Sequence, residues 1–167
     1  MTTASRAESN RVLRKWCAPV TGDVLSIGSG DDADRQGAHY RDYFTSASSY
    51  TTSEVVEGCD LVLDVMNPGK LGRKWDAIFC SGVLEHVNDP DAALDGMKSL
   101  LRKKGTLLLG VPFRQAIHRA PEDFWRWTEH GIRVLLERHG YTVEQVVPID
   151  GGVANFPAAY WIRAHVG

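Results

Sequence analysis

Apolar positions along the chain change period repeatedly, and each change marks an element boundary. In residues 5–16, Val12, Leu13 and Trp16 fall on one side of a helical pattern, which predicts a short amphipathic helix ended by Pro19 and Gly22. Asp23-Val-Leu-Ser-Ile then reads as a strand that enters a glycine turn at Gly28, and residues 33–44 follow as a helix of looser pattern. Tyr50 to Val55 and Leu61 to Val65, rich in β-branched and apolar residues, read as strands, as does Trp75 to Cys80. Asp89 can cap a helix that opens at Pro90 and runs to about Arg102. Its carboxylate accepts from first-turn amides, and proline suits the first helical position. Ala93, Leu94, Met97, Leu100 and Leu101 recur at helical spacing, and Gly105 can end the segment in a left-handed turn.

Thr106 to Val111 is apolar on both alternating faces, as a central parallel strand should be. Thr128 caps a second clear helix running to His139, with Ile132, Leu135 and Leu136 inward and Gly140 stopping it. Tyr141 to Ile149 and roughly Ala154 to His165 are the last strands. Strands alternating with helices imply an α/β fold, a doubly wound sheet with helices on both faces. The gap from Val55 to Leu61 is too short for a helical crossover between parallel neighbours, which takes a dozen or more residues. Either an extended loop makes that link, or one of the two strands is short or misplaced. With no repeat, low-complexity tract or linker, residues 1–167 are expected to form a single domain.

Composition narrows the function classes. The 167 residues are 43% hydrophobic and 24% charged, which excludes wholesale disorder. A net charge of −2 gives no basic excess, so no nucleic-acid partner is expected, although a local basic patch is compatible with it. Three widely spaced cysteines (Cys17, Cys59, Cys80) with no C-x-x-C pair argue for reduced thiols and a cytoplasmic setting. The six histidines contain no H-E-x-x-H and no i, i+4 pair, so a local metal motif is absent and no metal is expected. The first 16 residues carry Arg6, Glu8, Arg11, Arg14 and Lys15 and lack the apolar core of a signal peptide. The longest apolar runs, Gly105 to Phe113 and Gly151 to Ile162, are too short to span a bilayer as a helix, so no membrane association is expected.

Three features carry chemistry. Gly28-Ser-Gly-Asp-Asp-Ala33 after the first strand lets backbone pass close to a ligand, as in nucleotide-binding α/β folds, though a plain tight turn has the same composition. Glu54 ends the second strand, 24 residues after Gly30, where an ionised carboxylate can accept both ribose hydroxyls of a nucleoside. Asp64, at the end of the third strand, can accept from an exocyclic adenine amine; a solvated strand-end acid is the plain reading of each. The third feature is residues 75–113, with F-D-x-I-like W-D-A-I, then V-L-E-H-V-N-D-P at Val83 to Pro90, a helix, and an apolar strand into V-P-F.

This stretch resembles the middle of class I S-adenosylmethionine (SAM)-dependent methyltransferases. Residues 121–140 are similar to that group's P-x-D-Y-x-R-x-T segment and following helix, and Tyr50 to Val55 to its second strand. The resemblance covers roughly residues 23–147 and implies a Rossmann-like, mostly parallel sheet with an antiparallel last strand. It implies that Gly28, Ser29 and Gly30 line the methionine end of SAM, and that Glu54 holds the ribose with Val55 beside the adenine. Asp64 and Val65 would hold the adenine edge, and Ser81 would face the cofactor from the fourth strand. Two departures stand out: Ser26 where an acid is usual and Asp32 where a third glycine is usual. Asp31 or Asp32 is a candidate to replace the missing acid.

Methyl transfer needs alignment more than acid–base chemistry, but a weakly acidic hydroxyl acceptor needs a base. His86, after the fourth strand, and His118, after the fifth, are the candidates, against the plain readings of helix packing and surface. Trp125, Arg126 and Trp127 are candidates to wall the acceptor pocket. The expected activity is transfer of a methyl group from SAM, leaving S-adenosylhomocysteine, to O or N of a small-molecule acceptor. The alternative is a non-catalytic SAM-fold regulatory or partner subunit, separated by ligand titration combined with turnover on an acceptor panel. A nicotinamide oxidoreductase also fits G-x-G-x-x-A, but it lacks a following substrate domain and leaves Val83 to Pro90 unexplained.

Overall fold

The structure, a computed structural model, describes residues 3–118, 122–150 and 157–167. In chain order its elements are helix α1 (Thr3–Cys17), strands β1 (Gly22–Ile27), β2 (Ala47–Glu54), β3 (Leu61–Val62) and β4 (Trp75–Ser81), helix α2 (Pro90–Leu100), strand β5 (Leu101–Pro112), helix α3 (Glu129–Arg138), and strands β6 (Tyr141–Ile149) and β7 (Ala159–Val166). Short 3-10 turns occupy Tyr40–Tyr43 and Leu84–His86. The seven strands form one sheet in the order β3-β2-β1-β4-β5-β7-β6. The pairs from β3 through β5 are parallel, and β7 runs antiparallel to both β5 and β6. The doubly wound, mostly parallel sheet with an antiparallel last strand is therefore as expected.

Alternation within the central strands divides the interior into two layers. Leu25, Ile27, Ile78, Cys80, Leu107 and Leu109 pack with Leu94 and Met97 of α2 and Ile132 and Leu136 of α3. Val24, Ala77, Phe79 and Leu108 face the other way, onto Val12, Leu13 and Trp16 of α1. Trp161 of β7 joins that second layer, stacked on Phe79 at 5.8 Å between ring centroids, and its indole N–H donates to the buried Ser9 hydroxyl of α1 at 2.8 Å. No described helix is long and apolar enough to cross a membrane.

Four local expectations are corrected. Residues 33–44 form no helix beyond the 3-10 turn at Tyr40–Tyr43. The fully buried Asp34 carboxylate accepts from the Gln36 and Ala38 amides and the Tyr43 hydroxyl and pairs with Arg14. Such local side-chain bonds give the backbone an alternative to helix, and Asp32 and Arg35 adopt φ of 55° and 60°, which no right-handed helix contains. β3 stops at Val62, because the Asp64 carboxylate turns the chain by accepting from the Met66 amide at 2.9 Å. Both readings of the tight β2–β3 link hold: the strand is short, and residues 55–60 cross in a loop tied to β2 by Asp60, which accepts from the Thr52 amide and hydroxyl. α2 ends at Leu100 rather than Arg102, and Lys104, not Gly105, takes the left-handed conformation at φ 61°. Gly105 serves close packing instead, since a Cβ there would lie 2.8 Å from the Arg102 carbonyl. The last strand begins at Ala159; residues 154–156 of its expected start lie outside the described residues.

The two helices of one face are joined by a histidine. His139, the C-cap of α3, pairs through Nε2 with Asp91 at 2.8 Å and through Nδ1 with Asp95 at 2.7 Å, both on α2. Burial is the largest single influence on this imidazole and lowers its pKa, but the two carboxylates together outweigh it and the net shift is upward. The folded-state value thus lies above the unfolded one, so the pair's stabilisation is complete below about pH 6.5 and is lost as pH rises through the raised value. Thermal unfolding should show His139→Gln falling further behind the wild type near pH 5.5 than near pH 8.5. An equal gap at both would mean that the ion pairs contribute nothing.

Candidate functional site

At the sheet's switch point the chain runs outward from β1 through β2 to β3, then returns to β4 on the other side of β1. Open α/β sheets bind ligands at the carboxyl ends of the strands there, because the flanking loops part. Here the parting forms a crevice of two lobes that share Ile27, Gly28 and Gly82. The larger, about 710 Å³, is lined by Ser29, Gly30, Ser81, Glu85 and His118, with Arg6 of α1, Arg35 and Tyr40 on its outer side. The smaller, about 340 Å³, is lined by Glu54, Val55, Asp64, Val65, Met66 and His86. All ten residues expected at the site therefore border one crevice.

The glycine loop is built for close approach. Gly28 has φ 68°, and a Cβ on it would lie 2.2 Å from Val83 Cγ2, so the position excludes a side chain on two counts. Gly30 also has positive φ, 52°, but open space around it. Its amide donates to Glu54 Oε2 at 3.4 Å, while the Val55 amide donates to Oε1 at 3.1 Å. Long bonds from an exposed loop leave much of this carboxylate's acceptor capacity facing the crevice. Val55 is 60% exposed and Val65 is buried, so the smaller lobe has one apolar rim and one apolar floor.

The departures from the family pattern have structural explanations. Ser26 is buried; its hydroxyl bonds that of Ser29 at 2.8 Å, and its carbonyl accepts from the hydroxyls of Ser29 and Ser53. It knits the glycine loop to β2 from beneath. Asp32 does not supply the missing acid, because its carboxylate is engaged by the Arg41 amide and guanidinium and by the Tyr50 hydroxyl. Asp31 is held by Arg35 at 2.7 Å. Ser26 and Asp32, the two departures, thus hold the loop in place.

The two candidate histidines come together with their ring centroids 4.9 Å apart, edge to face. His86 Nδ1 lies 2.5 Å from the Glu122 carbonyl and His118 Nδ1 lies 3.2 Å from that of Ala116. A carbonyl only accepts, so each Nδ1 is the donor there, and in the neutral ring Nε2 is the atom with the lone pair. Asp123 secures the His118 loop: it accepts from the His118 amide at 2.8 Å and takes both ends of the Arg126 guanidinium, which holds its carboxyl well below the usual range. Arg126 thus braces the loop. Trp125 donates to the Val87 carbonyl at 2.8 Å and stacks on Trp127 at 5.7 Å. Neither tryptophan nor Arg126 lines the described crevice lobes; Pro121 and Arg119 lie outside the described residues.

One residue of the site escaped sequence reading. Glu85 is only 2% exposed, and burial raises its carboxyl above the usual range. Its Oε2 has no hydrogen-bond partner among the described residues, and Oε1 lies 4.0 Å from His86 Nε2. It stood inside V-L-E-H-V, where an acid in an apolar run with no partner in the sequence was the available signal.

Comparison with known proteins places this geometry. A family described as a methyltransferase domain matches residues 6–146. The N-methyltransferase NodS from Bradyrhizobium japonicum WM9, solved with S-adenosylhomocysteine, superposes with a TM-score of 0.74 at 18% identity, covering 97% of this chain and 87% of that one. The 1,6-didemethyltoxoflavin-N1-methyltransferase of Burkholderia thailandensis gives 0.72 at 16% identity, covering 98% of this chain and 78% of that one. Among curated proteins, a tRNA U34 carboxymethyltransferase of Campylobacter hominis is 44% identical over 52 residues, 31% of this chain and 18% of that protein. One of Campylobacter lari is 28% identical over 97 residues, 52% of this chain and 33% of that protein. The chain therefore spans no more than about a third of the length of these curated relatives. Their names overturn the expectation of a small-molecule acceptor without nucleic acid. The exclusion of nucleic acid rested on net charge, which averages over the whole surface and is blind to Arg6 and Arg35 at the crevice. With residues 6–146 matched and the sheet order described above, the chain belongs to the methyltransferase-domain family and has the class I fold of SAM-dependent methyltransferases.

Proposed function

We propose that this domain binds SAM in the two-lobed crevice and transfers its methyl group to an acceptor in RNA. The observation that carries the cofactor half is the Glu54 carboxylate beside the Gly30 amide, at the junction of the glycine loop and an apolar-walled lobe. In this reading Glu54 accepts the ribose hydroxyls, Val55 and Val65 enclose the adenine, and Asp64 accepts from its amine. Gly28, Ser29, Gly30 and Ser81 border the methionine end. Bound SAM would supply an electrophilic methyl on a sulfonium, which an acceptor lone pair takes in line as the sulfur leaves in S-adenosylhomocysteine. The chain's own work is to hold the two partners aligned and to keep water out between them.

The acceptor half rests on the names of the curated relatives and on the larger lobe's outer side. Arg6, and Arg35 beside its pair with Asp31, offer guanidinium donors that suit phosphate oxygens, and Tyr40 borders the same lobe. His86, bordering the smaller lobe, and His118, bordering the larger, meet edge to face where the lobes adjoin and are the catalytic residues of this reading.

Thermal shift against SAM, S-adenosylhomocysteine and NAD tests the cofactor: both sulfur nucleosides should stabilise the protein and NAD should not. Stabilisation by NAD alone sinks the assignment. Methyl-labelled SAM incubated with total RNA should leave nuclease-sensitive label in the RNA. Bound cofactor with unlabelled RNA sinks the acceptor reading.

A further inference from the structure

Glu85, His86 and His118 each offer one ligand atom, and these atoms all lie within 4.8 Å of one another. They come from two separate segments, the turn after β4 and the loop after β5, so no local motif announces them. Glu85 and His118 line the larger lobe of the crevice and His86 the smaller, which puts the group at the shoulder between them.

Three facts about the group point the same way. First, Glu85 is almost wholly buried and its Oε2 has no described partner, an arrangement that is costly for the ionised carboxylate unless something cationic meets it. Second, the facing groups are imidazoles, each with Nδ1 committed to a backbone carbonyl, so that Nε2 is the ring atom the neutral form can offer as a ligand. A proton on either Nε2 would answer Glu85 from one side only, whereas a metal ion takes all three donors at once. Third, the outer supports resemble those around metal-bound imidazoles. Glu122 fixes His86, and the Asp123 carboxylate, itself clamped by Arg126, stands 3.4 Å from His118 Nδ1.

We propose that Glu85, His86 and His118 bind a divalent transition-metal cation at this shoulder, with its open positions facing the acceptor. Two imidazoles and a carboxylate suit divalent first-row ions, from the harder, weaker-binding Mn²⁺ to the borderline Zn²⁺, and leave coordination sites free. Metal–ligand bonds near 2.1 Å put neighbouring donors about 3 Å apart, so closing the site asks the 4.0 Å separation of Glu85 and His86 to shrink by about an ångström. The ion's binding stands independently of the SAM reading. Its use, holding an oxygen of the acceptor next to the transferred methyl group, rests on that reading.

The test uses the full chain stripped with a chelator and titrated with Mn²⁺, the free ion being counted by electron paramagnetic resonance. Mn²⁺ is chosen because it has little affinity for thiols such as Cys59. One equivalent should bind, and Glu85→Gln and His118→Ala should each weaken binding at least tenfold while circular dichroism is unchanged. His118 lies on a loop outside the core, so its variant remains informative if the buried Glu85 variant misfolds. No saturable binding, or affinity within twofold of wild type in folded His118→Ala, overturns the site. SAM calorimetry on the same samples separates the two readings: SAM bound without Mn²⁺ removes the metal alone, and Mn²⁺ bound without SAM removes the cofactor reading alone.

Discussion

Glu54→Ala is expected to weaken SAM binding by roughly 10- to 150-fold, the loss of charge-assisted bonds worth about 1.5–3 kcal/mol together. Among the described residues its carboxylate makes only the long contact from the Gly30 amide and the contact from the Val55 amide. Both amides lie where water can replace the lost oxygen, so the unliganded fold should hardly move. Glu54→Gln should restore part of the affinity, because an amide keeps one acceptor oxygen and turns the other position into a donor. Calorimetric titration of wild type and both variants, with circular dichroism as control, measures this. Affinity within twofold of wild type in Glu54→Ala would make Glu54 a solvated strand-end acid and would move the ribose elsewhere.

Gly96→Ala should destabilise the fold and loosen the adenine lobe in one step. Inside a helix this change ordinarily stabilises by about 1 kcal/mol through propensity. Here a Cβ would sit 1.8 Å from the Val65 carbonyl oxygen and 3.4 Å from Pro68, so α2 and the Asp64–Val65 turn must separate. Overpacking of this kind costs about 1–3 kcal/mol, and contact with backbone rather than a flexible side-chain end puts it at the upper limit. The clash wins by about 2 kcal/mol, a fall in Tm of roughly 4–8 °C for a chain of this size. SAM affinity should fall with it, since Asp64 and Val65 ride on the displaced turn. A Tm at or above wild type would show that the turn yields freely, and that α2 does not set the floor of the lobe.

What could be read from sequence was what repeats locally. The alternation in Thr106 to Val111 and the spacing of Ala93, Leu94 and Met97 each report burial directly, and the elements lie where those patterns put them. Gly28 and Glu54 were legible because strand ends and glycine turns have fixed places in a doubly wound sheet. The segment after β1 was misread because Asp34 satisfies the backbone through its own carboxylate, which the apolar pattern does not register. Glu85 was passed over for a different reason: its meaning lies in His118, 33 residues away and across the sheet's edge. Two histidines without i, i+4 spacing excluded only a metal site built on a single helix. The acceptor was misjudged because total charge says nothing of where Arg6 lands.

The placement of β7 has a consequence for how the chain is made. It is synthesised after β6, yet it sits between β5 and β6 rather than at an edge. While a ribosome is still delivering residues 141–149, β6 has no neighbour to pair with, and β5 offers an open flank. Helix α1, finished long before, has no Trp161 to meet its Ser9. Such distant contacts are slow to form and leave edges exposed until they do. The nascent chain therefore carries two unpaired strand edges until β7 emerges, and chaperones that shield strand edges would act in that interval.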